Sequence, residues 1–172
     1  MLRLRPGPDE PALLRSYSLS GEPSEDRYRI SVKREPHGAA GAYIDMQVQA
    51  GDVLEVSAPR GSFTLQQGDG PVVLVSAGIG ATPVLAMLHA LAAEQSPREI
   101  WWLHGGRNGT EHPFAAEVRS LLEVLPAGRS YICYSAVGRV MGPTPTGEGA
   151  CRLSRPRSVL YRVGCWMFRC PR

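Results

Sequence analysis

The spacing of hydrophobic and polar positions changes character near residue 68. Before that point, short runs such as 13–20 (LLRSYSLS) and 28–35 (YRISVKRE) often alternate between apolar and polar residues, and clusters of Gly, Pro, Asp or Glu separate them. Period-two alternation with closely spaced turns is typical of antiparallel strands. This half therefore predicts an antiparallel barrel or sandwich, with further strands at 2–5, 52–59 and 62–66.

After residue 68 the chain alternates between strand-like and helix-like patterns. The predicted elements, in chain order, are a strand at 71–77, a helix at 82–95, a strand at 98–106, a helix at 112–125 and a strand at 129–135. Such alternation is typical of βαβ units with a parallel sheet. We predict a β domain over 1–67, an α/β domain over 68–135, and an irregular basic tail over 136–172 that is poorly ordered.

The charged side chains are distributed unevenly between the first 135 residues and the rest of the chain. Behind the net charge of +3, residues 1–135 carry 12 basic and 15 acidic side chains, whereas residues 136–172 carry seven arginines and Glu148. A nucleic-acid site needs basic residues organised on a folded face. Arginines confined to an irregular tail therefore favour no nucleic-acid partner.

The cellular compartment is predicted from the apolar runs and the cysteines. Residues 70–93 lack formal charge, but glycines and a proline interrupt the run, which favours strand, turn and helix over a membrane span. The first ten residues contain no apolar signal segment. All four cysteines follow residue 132, so no disulfide framework supports the body. We expect a cytoplasmic protein without membrane contact or bound metal, although Cys165 and Cys170 have the C-x4-C spacing that opens some iron–sulfur motifs.

Two segments suggest anion binding. In 72–83 (VVLVSAGIGATP), a buried strand ends at Gly78 and Gly80, and Thr82 is predicted to cap a helix whose first turn contains Pro83. A helix that begins after such a turn suits a pyrophosphate, although a junction without a ligand fits equally well. In 37–52, glycines lead into a short possible helix near Tyr43, which is either a second anion-binding turn or an ordinary loop.

The segment 13–20 carries an unusual strand face. Regular alternation would place Arg15, Tyr17 and Leu19 on one face and three serines on the other. A guanidinium beside an aromatic ring makes a poor core but a suitable wall for a flat anionic ligand. Taken alone, a strand with a solvent-facing arginine explains the pattern as well.

The order of the motifs decides between these alternatives. R-x-Y-S at 15–18, V-K-R at 32–34, G-S-F at 61–63 and G-x-G-x-x-P at 78–83 together resemble the ferredoxin–NADP reductase family. The resemblance covers about residues 2–135 and is strongest to the FAD/NAD(P) reductase module of flavohaemoglobins and bacterial oxygenase reductases. It implies an incomplete antiparallel β barrel as flavin domain, followed by a truncated α/β domain whose parallel sheet holds a nucleotide.

The resemblance also implies an activity. A flavin-dependent oxidoreductase of this type passes electrons from NADH or NADPH via FAD, or FMN, to a haem or iron–sulfur acceptor in a redox partner domain or protein. The flavin does the chemistry and the protein positions and tunes it. Because the similarity lacks the family's opening strands and its last βα units, we expect a fragment or the product of a disrupted gene. The alternatives are an inactive fragment and a nucleotide-binding module without turnover.

Residue roles follow from the same resemblance. Arg15 would neutralise flavin phosphates, while Tyr17 and Ser18, the residues nearest the chemistry, would pack on the flavin ring and bond near its N5. The remaining flavin contacts would be Ser31, Val32, Lys33, Gly38 and Gly41, the last where the family usually has serine. The nicotinamide nucleotide would meet Gly78, Gly80, Thr82 and Pro83. A second nucleotide-facing loop would comprise His104, Gly105, Gly106, Arg107 and Asn108, with Arg107 at a 2′-phosphate or an adenosine ribose.

Overall fold

Antiparallel strands build the first part of the chain, residues 1–67, which we call the β half. The computed structural model describes residues 1–136 and the backbone of two strand segments, 149–150 and 163–169. The elements of the β half are β1 (Leu2–Leu4), β2 (Leu13–Arg15), β3 (Arg27–Lys33), α1 (Ala39–Gln47) and β4 (Glu55–Val56). In one sheet β1 lies between β2 and β4, and all pairing in this half is antiparallel, as predicted.

Alternating burial on β1 and a consecutive buried run on β3 build the core of the β half. Leu2 and Leu4 are buried while Arg3 between them is exposed, as period-two alternation requires. On β3 the buried side chains are consecutive, from Ile30 to Val32. The buried hydrophobic residues of this core are Leu2, Leu4, Ile30, Val32, Ala40 and Ile44.

Three predicted strands of this half are shorter than expected or absent. The segment 13–20 is a ladder strand only over Leu13–Arg15, and the segment 52–59 only over Glu55–Val56. Residues 62–66 form no strand, and Phe63 in that segment is exposed. Strand-like composition forms a strand only where a neighbouring strand supplies hydrogen bonds, and the described residues supply none there.

A strand in the predicted irregular tail is a second difference. β9 (Val163–Arg169) pairs antiparallel with the whole of β3, in a register that sets Arg27 opposite Arg169. The segment contains valine, tryptophan and phenylalanine, residue types that strands favour, and it pairs with an edge of β3 to which no other described strand bonds. β8 (Gly149–Ala150) also falls in this region. The rest of residues 137–172, including Cys170, lies outside the described residues.

Residues 68–136, the α/β half, form a parallel sheet covered by two helices. The elements are β5 (Val72–Ala77), α2 (Ala81–Ala93), β6 (Ile100–Gly106), α3 (Ala115–Glu123) and β7 (Gly128–Tyr134). β6 lies between β5 and β7, and β8 extends the sheet beyond β7. Every predicted strand and helix of this half is present, and the buried Trp102 on β6 is among its largest core side chains.

The two halves have separate hydrophobic cores. Leu85, Leu88 and Leu91 of α2 pack against the sheet of the α/β half, in a cluster distinct from that around Ile44. The apolar run 70–93 is strand, turn and helix, as its glycines predicted. Within the described residues, no helix combines the length and apolar character needed to cross a membrane.

Candidate functional site

A cleft of about 490 Å³ lies where the β half meets the α/β half. Its volume falls in the range that small-molecule and cofactor sites occupy. Four segments line it: the residues after β2, the end of β3, the start of α1, and the turn before α2. The lining residues are Arg15, Ser16, Tyr17, Ser18, Ser31, Val32, Lys33, Glu35, His37, Gly38, Ala39, Ala40, Gly41, Ile79, Gly80 and Thr82.

The segment 16–18 reaches the cleft because the chain crosses between sheets there. β2 leaves its ladder after Arg15, and the chain next pairs at Leu19, which bridges to Ile30 of β3. The predicted alternation is therefore wrong in detail: residues from both faces line the cleft, because residues 16–18 belong to neither ladder. Ser20 anchors the end of the crossing, with its hydroxyl 2.7 Å from that of Ser31.

Arg15 and Tyr17 form one wall of the cleft, and their side chains differ in how deeply they are buried. The Arg15 side chain is exposed, and its Nη1 donates to the Leu14 carbonyl at 2.8 Å. Tyr17 is half-buried and packs against the β-half core. Burial raises the pKa of the Tyr17 hydroxyl, and the nearby Arg15 charge opposes that rise. The wall therefore combines a neutral aromatic ring with a cation on a long side chain, which suits a flat ligand bearing negative charge.

The start of α1 supplies the second wall. Gly38 is the N-cap and makes no side-chain cap, so the first amide N–H groups of the helix are left for another acceptor. Gly41 lies in the same turn and packs closely on β3: an added Cβ would stand 3.4 Å from the Lys33 carbonyl oxygen. Lys33 itself pairs with Glu35 at 2.7 Å. This side of the cleft thus combines helix amide donors with the Lys33–Glu35 ion pair.

The turn before α2 forms the third wall. Gly78 has φ +50°, which favours glycine, and a 3₁₀ turn over Gly78–Gly80 leads directly into the helix. Added Cβ atoms at Gly78 and Gly80 would meet nothing within 4 Å, so the space above the turn is open. Gly80 rather than Thr82 is the N-cap, because the 3₁₀ turn continues into the helix and starts it at Ala81.

Not every predicted nucleotide contact reaches the cleft. Gly80 and Thr82 line it, whereas Gly78, Pro83 and Arg107 do not. Arg107 lies on the loop after β6, with its guanidinium 3.7 Å from the Glu111 carboxylate. The cleft also contains residues that carry no motif signal in the sequence, among them Glu35, His37 and Ile79.

The loop after β6 is held by a chain of stacked and bonded rings. His104 lies 2.8 Å from the Ser76 hydroxyl through Nδ1 and stacks on His112 with ring centroids 4.7 Å apart. His112 lies 2.9 Å from the Tyr134 hydroxyl. Burial and the neighbouring His112 lower the pKa of His104 to about 4, so the ring is neutral at pH 7. These contacts tie together the carboxyl ends of β5, β6 and β7.

Metal binding finds no support in the described residues. No group of three or more His, Cys, Asp or Glu side chains in residues 1–136 is arranged to hold a metal ion. The C-x4-C spacing lies outside those residues. The arrangement instead offers an aromatic wall, hydroxyls, unpaired helix amides and an open glycine turn.

Comparison with known proteins gives matches over the same segments. Residues 74–143 match the family described as an oxidoreductase NAD-binding domain. A flavohemoprotein from Deinococcus radiodurans is 46% identical over 125 residues, which are 73% of this chain and 31% of that protein. The solved flavohem-like FAD/NAD binding domain of nitric oxide dioxygenase from Vibrio cholerae aligns with a TM-score of 0.75 at 31% identity, covering 91% of this chain and 66% of that one.

This chain belongs to the ferredoxin–NADP reductase-like family. The similarity extends to phthalate dioxygenase reductase, a modular structure for electron transfer from pyridine nucleotides to [2Fe-2S], at 27% identity and a TM-score of 0.57 over 77% of this chain and 49% of that one. This chain spans about a third of the length of the Deinococcus radiodurans flavohemoprotein that it matches.

Proposed function

We propose that this chain is a flavin-dependent electron-transfer module that oxidises NADH or NADPH. The observation that carries the proposal is the shared cleft, because residues 15–18, 31–33, 38–41, 79–80 and 82 line one space although they come from both halves. The relatives support the ligands: the Vibrio cholerae domain is described as FAD/NAD binding. We favour FAD over FMN for that reason, and either nicotinamide nucleotide as donor.

The residues present fit a flavin. The half-buried Tyr17 ring offers a flat apolar surface, and the hydroxyl-bearing Ser18 and Ser31 line the same cleft. Arg15, together with the first-turn amides of α1, would hold phosphates. When bound, a flavin accepts two electrons as hydride and passes them on singly.

The chain's own part is binding and orientation. Tyr17 would hold the ring plane, Ser18 would donate a hydrogen bond at the ring edge, and the open turn at Gly80 would admit the nicotinamide nucleotide. No side chain is required as nucleophile or base, so the rate would depend on how well the two ligands are aligned. The electron acceptor would be a haem or iron–sulfur group in a partner domain or protein, as the flavohemoprotein and the phthalate dioxygenase reductase suggest.

Flavin titration tests this proposal. FAD fluorescence is followed as the full chain is added, for the wild type and for Arg15→Met. Losing a charge-assisted hydrogen bond costs about 1.5–3 kcal/mol, so the Kd should rise about tenfold or more. Arg119→Met, an exposed charge on α3, is the matched control and should leave the Kd unchanged. Equal effects of the two variants, or no flavin binding by the wild type, would contradict the proposal.

A further inference from the structure

Three charged or polar side chains meet at the border between the two halves, away from the cleft walls. Arg29 comes from β3, His89 from α2, and Glu117 from the first turn of α3. Arg29 Nη2 lies 2.6 Å from Glu117 Oε1, and His89 Nε2 lies 2.7 Å from the same oxygen. We call these three residues the border triad.

The border triad is a partly buried Arg29–Glu117 ion pair to which His89 adds a hydrogen bond. Arg29 and His89 both donate to one carboxylate oxygen, and a neutral His89 ring with its hydrogen on Nε2 is sufficient for this. Arg29 Nη2 also donates to the Ser20 carbonyl. The side chains of Arg29, Glu117 and His89 are only 18%, 28% and 16% exposed, so water screens their attraction less than at an open surface.

The backbone near Arg29 leaves room for this arrangement. A Cβ on Gly21 would stand 2.9 Å from the Arg29 Cβ and 3.2 Å from its Nε. The first distance is shorter than real side chains tolerate, and the Arg29 Cβ is fixed by its strand. Glycine at position 21 therefore allows the Arg29 side chain to pass over the chain reversal and reach α3.

The elements that carry the border triad also carry the cleft. Arg29 precedes Ser31 by two residues on the same strand face, about 7 Å away. α2 begins directly after the Gly80 turn and bears His89 eight residues beyond Ala81, about 12 Å along the helix. β3 also contacts the Gly78–Gly80 turn directly. A rotation of the halves at the border triad would therefore be transmitted to the distance between the flavin wall and the glycine turn.

We propose that Arg29, Glu117 and His89 are positioning residues, which fix the α/β half over the β half so that the Gly80 turn faces the wall of Arg15 and Tyr17. The inference rests on the proposed function for its kinetic consequence, but not for its structural one. Small displacements of reacting groups by distant substitutions lower rates by up to about a hundredfold. Loss of the border triad should therefore slow flavin reduction while leaving flavin affinity unchanged.

The structural test needs no ligand. Residual dipolar couplings of backbone amides are measured for the full chain and for Glu117→Gln, which keeps the side-chain shape but removes the charge. In the wild type, amides of β1–β4 and of β5–β7 should fit one alignment tensor. In Glu117→Gln the two sets should need different tensors. Arg27→Met, at an exposed arginine on β3, and Glu123→Gln, at an exposed glutamate on α3, are the matched controls and should each keep a single tensor.

The kinetic test uses the same variants loaded with FAD. At saturating NADH, flavin reduction in Glu117→Gln should be slower by about tenfold or more, with the FAD Kd changed less than about twofold. A single tensor and a wild-type rate in Glu117→Gln would overturn the inference. If that variant fails to fold, Arg29→Lys replaces it, and failure of both would show that the border triad supports folding and not alignment. A wild type without flavin affinity would refute the proposed function, while the couplings still decide the role of the border triad.

Discussion

Gly41 provides a quantitative test of the wall formed by α1. The resemblance to the reductase family implies a serine at this position, whereas this chain has glycine in the first turn of α1, beside the cleft. A Cβ there would lie 3.4 Å from the Lys33 carbonyl oxygen and 3.7 Å from Val32 Cγ1. These are ordinary contact distances, so Gly41→Ser should be accommodated without movement of β3.

Two effects of that substitution can be separated in size. Glycine in a helix costs up to about 1 kcal/mol relative to alanine, so either Gly41→Ala or Gly41→Ser should stabilise the fold by less than about 1 kcal/mol. Only serine adds a donor. A hydrogen bond to a charged phosphate contributes about 1.5–3 kcal/mol, which corresponds to a Kd for FAD lower by about tenfold or more.

The assay pairs FAD fluorescence titration with urea denaturation for both variants. Gly41→Ala is the matched control, because it shares the Cβ and the helix effect but lacks the hydroxyl. We expect tighter FAD binding for serine and an unchanged Kd for alanine. If serine gives no gain, or alanine gives the same gain, the start of α1 does not hold a flavin phosphate and that part of the site is wrongly assigned.

Two further predictions concern stability. Leu88 on α2 is fully buried, so Leu88→Ala should lower the free energy of unfolding by about 2–5 kcal/mol. Leu14 is exposed, so Leu14→Ala should lower it by less than about 0.5 kcal/mol. Urea denaturation measures both, and similarly small losses for the two variants would contradict the described core. The second prediction concerns His104, whose pKa is lowered from 6.5 to about 4 in the folded chain. Between these pH values the unfolded chain binds a proton that the native state does not. The free energy of unfolding should therefore fall as the pH drops from 6.5 towards 4, by at most about 3 kcal/mol. His104→Gln should reduce that dependence, and an unchanged pH slope would refute the described environment of His104.

Much of the α/β half could be predicted because its elements are specified locally. The run 70–93 carries a buried strand, glycines for the turn and an apolar helix in sequence, and each is present. The β half was less predictable, since strand pairing depends on distant partners. The sequence around residues 62–66 does not reveal that this segment lacks a partner strand among the described residues. The sequence of 13–20 likewise does not reveal that the chain leaves one ladder after Arg15 and next pairs with β3.

The candidate site was also predicted only in part from the sequence. The motif order predicted residues that the fold brings into one cleft, among them Tyr17, Ser31, Gly41 and Thr82. Arg107 lies outside that cleft beside Glu111, because the loop after β6 turns back on itself through the Asn108 side chain, which accepts from the Thr110 and Glu111 amides. The border triad had no sequence signal, since Arg29, His89 and Glu117 lie far apart in the chain and become neighbours only when the halves pack.

Reduction of bound flavin by a nicotinamide nucleotide tests the central proposal most directly. The purified chain is saturated with FAD, freed of excess ligand, and mixed in separate runs with NADH and with NADPH, without oxygen, while the visible flavin absorption is recorded. We predict retained flavin whose absorption is bleached by NADH or by NADPH. Retained flavin that neither nucleotide bleaches would indicate a binding module without turnover, and a chain that retains no flavin would contradict the assignment of the cleft.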